Sequence, residues 1–211
     1  MTMKRVFNLL VVDESGSMSV IQHQALAGIN ETLSTIHKMQ KMHKNIEQRV
    51  TLITFDSTHK NLLFDNVSAS RIHPLGFKDY RPMGATPLYD AIGMGIAKIN
   101  AVTTKDDNVL VTIITDGYEN CSTEYNLRMI KNLIKKLKGQ NWTFTFIGTD
   151  NLDVEAMAMD MGIDNHLQFQ EDEAGTKKMF ACENRARERF NKCMSHGCAM
   201  PTASYFDEKE D

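Results

Sequence analysis

Residues 6 to 12, Val-Phe-Asn-Leu-Leu-Val-Val, form an apolar run interrupted only by Asn8, and Asp13-Glu14 ends it. A strand with one wet face alternates apolar and polar residues, so a continuous short run reads as a strand covered on both faces. Val109 to Thr115 repeats the pattern and ends at Asp116-Gly117. Doubly covered strands belong to largely parallel sheets, and parallel neighbours require a long crossover between them. The segments between the runs must therefore supply helices.

They have the right character. Ile21, Ala25, Ile29, Leu33, Ile36 and Met39 recur at three- and four-residue spacing, which predicts a long helix. Arg49 to Phe55 and Lys60 to Val67 read as two strands, and the short Asp56-Ser57-Thr58 turn makes them an antiparallel hairpin. Residues 68 to 85 carry Pro74, Gly76, Pro82 and Gly84 and read as irregular. Thr86-Pro87 suits an N-cap and first helical position, opening a helix to about Ile99. Leu127, Ile130, Leu133, Ile134 and Leu137 mark the next helix. A strand over Trp142 to Ile147, a helix over 152 to 161, a strand over His166 to Phe169 and a closing helix over 173 to 192 complete the order. Such alternation predicts an α/β sheet with helices on both faces. Its first and fourth strands lie side by side, where strand order reverses and such sheets bind ligands.

The chain length of 211 residues fits one domain, expected over residues 1 to 192, with 193 to 211 a loose tail. Twelve glycines and four prolines argue against a linker-dominated or disordered chain. The net charge is −3, and the last five residues alone carry it, so no global basic field points to nucleic acid or an anionic membrane. No apolar stretch approaches the roughly 20 residues of a spanning helix. The first run ends in acids with no small-residue cleavage site, so it is expected to be a strand rather than a signal peptide. Four cysteines without framework spacing read as reduced thiols in a cytoplasm.

The chemistry concentrates at the ends of the two buried strands. Asp13-x-Ser15-x-Ser17 places one carboxylate and two hydroxyls on alternate residues of a loop, where they can face one point. Asp116 adds a carboxylate from the neighbouring strand, and Thr86 a further hydroxyl from the long loop. Oxygen donors without His or Cys suit a hard divalent cation, Mg²⁺ before Ca²⁺. Neutral hydroxyls leave such an ion electrophilic, so a partner's carboxylate would be a favourable further ligand.

Asp13-Glu14-Ser15-Gly16-Ser17-Met18, Thr86 and Ile114-Thr115-Asp116-Gly117 resemble the metal-ion-dependent adhesion site of von Willebrand factor A domains. The resemblance implies a Rossmann-like, doubly wound, mostly parallel six-stranded sheet with one antiparallel edge strand. It implies Asp13, Ser15, Ser17, Thr86 and Asp116 as metal ligands, with the two acids partly acting through water. Mg²⁺, or alternatively Ca²⁺ or Mn²⁺, is the implied cofactor. The implied activity is metal-dependent binding of a protein that offers Asp or Glu, with no nucleic acid or membrane partner. The chain is similar to stand-alone bacterial members of intracellular type, and in some relatives ligand binding is linked to movement of the closing helix, here 173 to 192.

Other readings compete. Thr86 and Ser17 would serve as helix caps with or without a metal. Glu14 could tune the cation's field or simply be solvated. A phosphatase of the haloacid-dehalogenase type also uses Mg²⁺ and a first-strand Asp, but it needs a second Asp where Ser15 stands. No Gly-x-Ser-x-Gly elbow or Walker loop is present, and no catalytic set is expected. Arg128, Lys131, Lys135 and Lys138 line one helix face and read as solvated. Cys182, Cys193, His196 and Cys198 match no zinc spacing.

Overall fold

The computed structural model describes residues 4–196 and 204–206. Strand β1 spans Lys4–Asp13, followed by a 3₁₀ turn at Gly16–Ile21 and helix α1 at Gln22–Met42. The hairpin β2 (Ile46–Phe55) and β3 (Lys60–Ser68) leads through a loop to α2 (Leu88–Asn100). Then come β4 (Asn108–Thr115), α3 (Leu127–Lys138), β5 (Trp142–Thr149), α4 (Val154–Met161), β6 (Asn165–Phe169) and α5 (Glu173–His196). The strands form one six-stranded sheet in the order β3-β2-β1-β4-β5-β6. Only β3 runs antiparallel to its neighbour. The α/β architecture inferred from the two apolar runs is the one observed.

The two-residue period of β1 explains how a continuous apolar run feeds two cores. Phe7, Leu9 and Val11 pack on one side with α2, α3 and α4 through Leu88, Ile92, Ile96, Ile130, Ile134 and Ala158. Leu10 and Val12 pack on the other with α1 and α5 through Ile29, Leu33, Met179 and Phe180. Asn8, the polar break in the run, is fully buried and donates to Gln48 Oε1 at 2.9 Å. Its Oδ1 accepts from Arg187 Nη1 of α5 at 2.6 Å. Arg187, itself fully buried, also donates to Thr112 Oγ1 of β4 at 2.8 Å and to Glu183 Oε1 at 2.6 Å. The closing helix is thus fixed to the two central strands by a buried polar network.

Three local expectations are corrected. The helix after Thr86 begins at Leu88 with Pro87 in the cap position and no side-chain cap bond, so Thr86 does not cap it. Residues 16–21 are a 3₁₀ turn, and Ile21 precedes α1, so Ser17 does not cap α1. The closing helix continues beyond 192 to His196, because Phe190 and Met194 are buried against Val6, Ile46 and Leu110. The tail expected from 193 is also tighter where it is described. Tyr205 is 1% exposed, its N–H donates to Asn165 Oδ1 at 3.0 Å, and its hydroxyl donates to Glu183 Oε1 at 3.1 Å. Residues 197–203 and 207–211 of that tail lie outside the described residues.

Candidate metal centre

β1 pairs in parallel with both β2 and β4, so the chain departs from it in opposite directions across the sheet. The register Val12↔Ile114 brings the ends of β1 and β4 together at this reversal point. Asp13 and Asp116 lie there, both buried. Asp13 Oδ1 accepts the Ser15 N–H at 2.7 Å, folding the loop back over the strand end. Its Oδ2 accepts from Thr115 Oγ1 at 2.5 Å. Ser15 Oγ and Ser17 Oγ stand 3.2 Å apart, and Ser17 Oγ donates to Asp116 Oδ1 at 2.8 Å. A Cβ added to Gly117 would lie 3.0 Å from Thr86 Oγ1 and 3.8 Å from Asp13 Oδ2. Glycine here lets Thr86 close over the site. All five residues expected from the sequence converge.

Burial dominates the electrostatics. It pushes the Asp13 carboxyl up to about 6, against hydrogen bonds from Thr115 and Ser15 that favour the charged form. Burial likewise pushes Asp116 up to about 7, opposed by the Ser17 hydroxyl and reinforced by the nearby charges of Asp13 and Glu171. Two crowded acids with too little compensation call for positive charge.

The donor set fits a hard cation. Asp116 Oδ2 is buried without a hydrogen-bond partner. An unpaired carboxylate oxygen away from water is costly, and a cation would satisfy it. Thr86 Oγ1 makes no hydrogen bond among the described residues, while its backbone N–H donates to Asn120 Oδ1 at 2.9 Å. No group of three or more His, Cys, Asp or Glu side chains with metal-holding potential occurs among the described residues. The centre instead offers carboxylate and hydroxyl oxygens, the donors of Mg²⁺ and Ca²⁺ sites. Cys198, weighed above for zinc, lies outside the described residues.

Sequence reasoning missed the residues that hold the loops. Glu14 is neither solvated nor aimed as a ligand. It is buried, accepting from the Arg81 backbone N–H and from Asn61 Nδ2 at 3.3 Å. Its carbonyl accepts the Met83 N–H at 2.8 Å, and the Tyr80 hydroxyl donates to the Asp13 carbonyl at 2.7 Å. Gly84 completes this wall at φ +71°, where an added Cβ would stand 2.5 Å from Ser57 Oγ. On the other side, Asp90 accepts the N–H groups of Thr123, Glu124 and Tyr125 at 3.0, 2.9 and 2.8 Å. Burial works against its charge, but those bonds and Lys60 outweigh it and lower its pKa. Asp90 reads in sequence as an ordinary first-turn acid, so nothing local signals this role.

The sequence matches the von Willebrand factor type A domain over residues 9–181. The chain belongs to that family. No curated protein matches the sequence. The von Willebrand factor domain of the type V pili tip protein Mfa5 from Porphyromonas gingivalis superposes with a TM-score of 0.60 at 10% identity, covering 95% of this chain and 98% of that one. The pilus adhesin SpaC from Lactobacillus rhamnosus GG, in its open conformation, gives 0.65 at 15% identity over 88% of this chain and 30% of that one. The PilB minor pilin from Streptococcus sanguinis gives 0.59 at 12% identity over 94% and 63%. The A domain thus spans less than two thirds of the SpaC and PilB chains. At these identities the likeness concerns the fold.

Proposed function

We propose that this A domain is a Mg²⁺-dependent protein-interaction module, with an Asp or Glu of the partner completing the cation's coordination. The observation that carries this reading is the buried, unpartnered Asp116 Oδ2 beside Asp13 and three hydroxyls. Asp13, Ser15, Ser17, Thr86 and Asp116 would hold the ion, with Ca²⁺ or Mn²⁺ as alternatives. A bound divalent cation would supply the positive charge that captures a carboxylate. The protein's own part is orientation. Thr115 and the Ser15 N–H aim Asp13, and Ser17 aims Asp116. Glu14 and Tyr80 hold the adjoining loop against the strand end. SpaC is a pilus adhesin and Mfa5 a pilus tip protein, which supports a binding role for the shared fold. A reducing cytoplasm is the proposed setting, with Cys121 and Cys182 as free thiols.

Asp13→Ala is expected to abolish Mg²⁺-dependent thermal stabilisation while the circular dichroism spectrum stays native. Wild type should lose the same stabilisation in EDTA. Equal Mg²⁺ response in the variant would defeat the ligand assignment. Mg²⁺-dependent turnover of a phosphate ester, lost in Asp13→Ala, would replace the binding reading with the phosphatase one.

A further inference from the structure

The cation centre accounts for one end of the sheet, but a second surface lies between α2 and α3. A groove of about 500 Å³ runs between these helices. Ile96 and Ala97 form its α2 wall, and Met129, Leu133 and Lys136 its α3 wall, with Tyr125 at one end. Its floor is apolar and recessed, because Ile96 and Leu137 are buried. Met129 stands 41% exposed on the rim. None of the five cation-site residues lines it.

The walls differ in charge. α3 carries Arg128, Lys131, Lys135, Lys136 and Lys138 and no acidic residue. Lys138 is engaged by Asp164 and by the Gly162 carbonyl. Arg128, Lys131, Lys135 and Lys136 are exposed and have no carboxylate partner among the described residues. The α2 wall is neutral across the groove, formed by Gly93, Ile96, Ala97 and Asn100. Lys136 lines the trough itself, while Arg128 and Lys135 stand on the outer face of the same helix and Lys131 lies toward Gly162 at the end of α4. The solvated face expected from its sequence leaves the trough unexplained.

We propose that the α2–α3 groove docks an acidic amphipathic helix of a partner protein. Its apolar stripe would fill the trough, and carboxylates along one flank would face Lys136 on the rim, with Lys135 next to it on the outer face of α3. A twelve-residue α3 is about 18 Å long, room for a ligand helix of about three turns. Side chains entering a concave trough are the helix-in-groove mode of recognition. A bilayer instead receives apolar side chains that project outward, and here the floor is recessed with Met129 alone prominent on the rim. Nucleic acid would gain phosphate contacts along α3 but would leave the apolar floor unfilled.

The test uses the full chain and two fluorescein-labelled 14-residue peptides. Both carry the same leucine stripe, one with Glu and the other with Lys along its flank. The Glu peptide should give a saturable anisotropy change that is equal in Mg²⁺ and EDTA, survives Asp13→Ala, and weakens as salt is raised. This separates the groove from carboxylate capture at the cation centre. The Lys135→Glu/Lys136→Glu variant should weaken binding by about tenfold or more through lost charge complementarity. Ala97→Trp should do so by filling the trough, with an unchanged thermal midpoint verifying the fold of each variant. Equal binding of the Lys peptide, or Glu-peptide binding that survives both variants, would overturn the proposal. So would absence of saturable binding, or uptake of the protein by phosphatidylglycerol vesicles without peptide binding.

Discussion

At Asp13 and Asp116, the same burial that suits them to a cation makes them awkward without one. Their carboxyls titrate near 6 and 7, whereas the unfolded chain releases those protons near the ordinary 3.8. Between about pH 4 and 7 the metal-free folded state therefore binds more protons than the unfolded state, and its stability falls as pH rises. Mg²⁺ competes for the same oxygens, so its stabilising effect should be large above pH 7 and fade toward pH 5. Thermal midpoints across that range, with Mg²⁺ and with EDTA, would measure both slopes. An EDTA midpoint whose slope between pH 4 and 7 is unchanged in Asp116→Asn would contradict the assignment. Four of the five candidate ligands were legible because two short loops at strand ends carry them, and Thr86 was added from the long loop before α2. Glu14, Tyr80, Asp90 and Thr115 were not, because each acts on a segment distant in sequence or through a backbone group that residue identity does not reveal.

Among the elements, the strands were the most legible. Val6–Val12 and Val109–Thr115 declared themselves by lacking alternation, and the sheet is built around them. Helix starts were less so. Thr86-Pro87 has ideal cap chemistry, yet its chain turns toward Gly117 first and the helix waits until Leu88. α5 was the hardest to interpret, because its inner face carries Glu183, Arg187 and Asn191, charged or polar residues that a pattern assigns to solvent. Their partners are Asn8, Gln48 and Thr112, on three different strands. Arg187→Met should therefore destabilise by about 3–5 kcal/mol in urea unfolding, because it strands a buried Glu183. Adding Glu183→Leu should recover most of that loss. A single variant as stable as wild type would show that the pair is dispensable.

Over the whole molecule, the two faces of the sheet are closed by different means. Three helices cover one face with largely apolar side chains, while the other adds the Arg187 network and the returning Tyr205. A domain boundary drawn at 192 would cut through α5 and remove that tyrosine. Tyr205→Ala should cost about 3–4 kcal/mol, as large aromatic deletions do. A chain ending at His196 should lose at least as much, read as a lower urea midpoint. Tyr205→Phe, which loses only the bond to Glu183, should cost about 1 kcal/mol.

The reach of Arg187 and Tyr205 also sets a timetable for synthesis. β1 is made first, yet its central neighbour β4 begins at Asn108, and the arginine that satisfies Asn8 comes 179 residues after it. A nascent chain must carry β1 with an unpaired edge until β4 leaves the ribosome, and Asn8 with an unfilled acceptor until α5 does. Glu183 is completed last, once Tyr205 follows it. Stalling translation between residues 115 and 187 should leave a collapsed, protease-sensitive chain, and resistance should appear abruptly once Tyr205 has emerged.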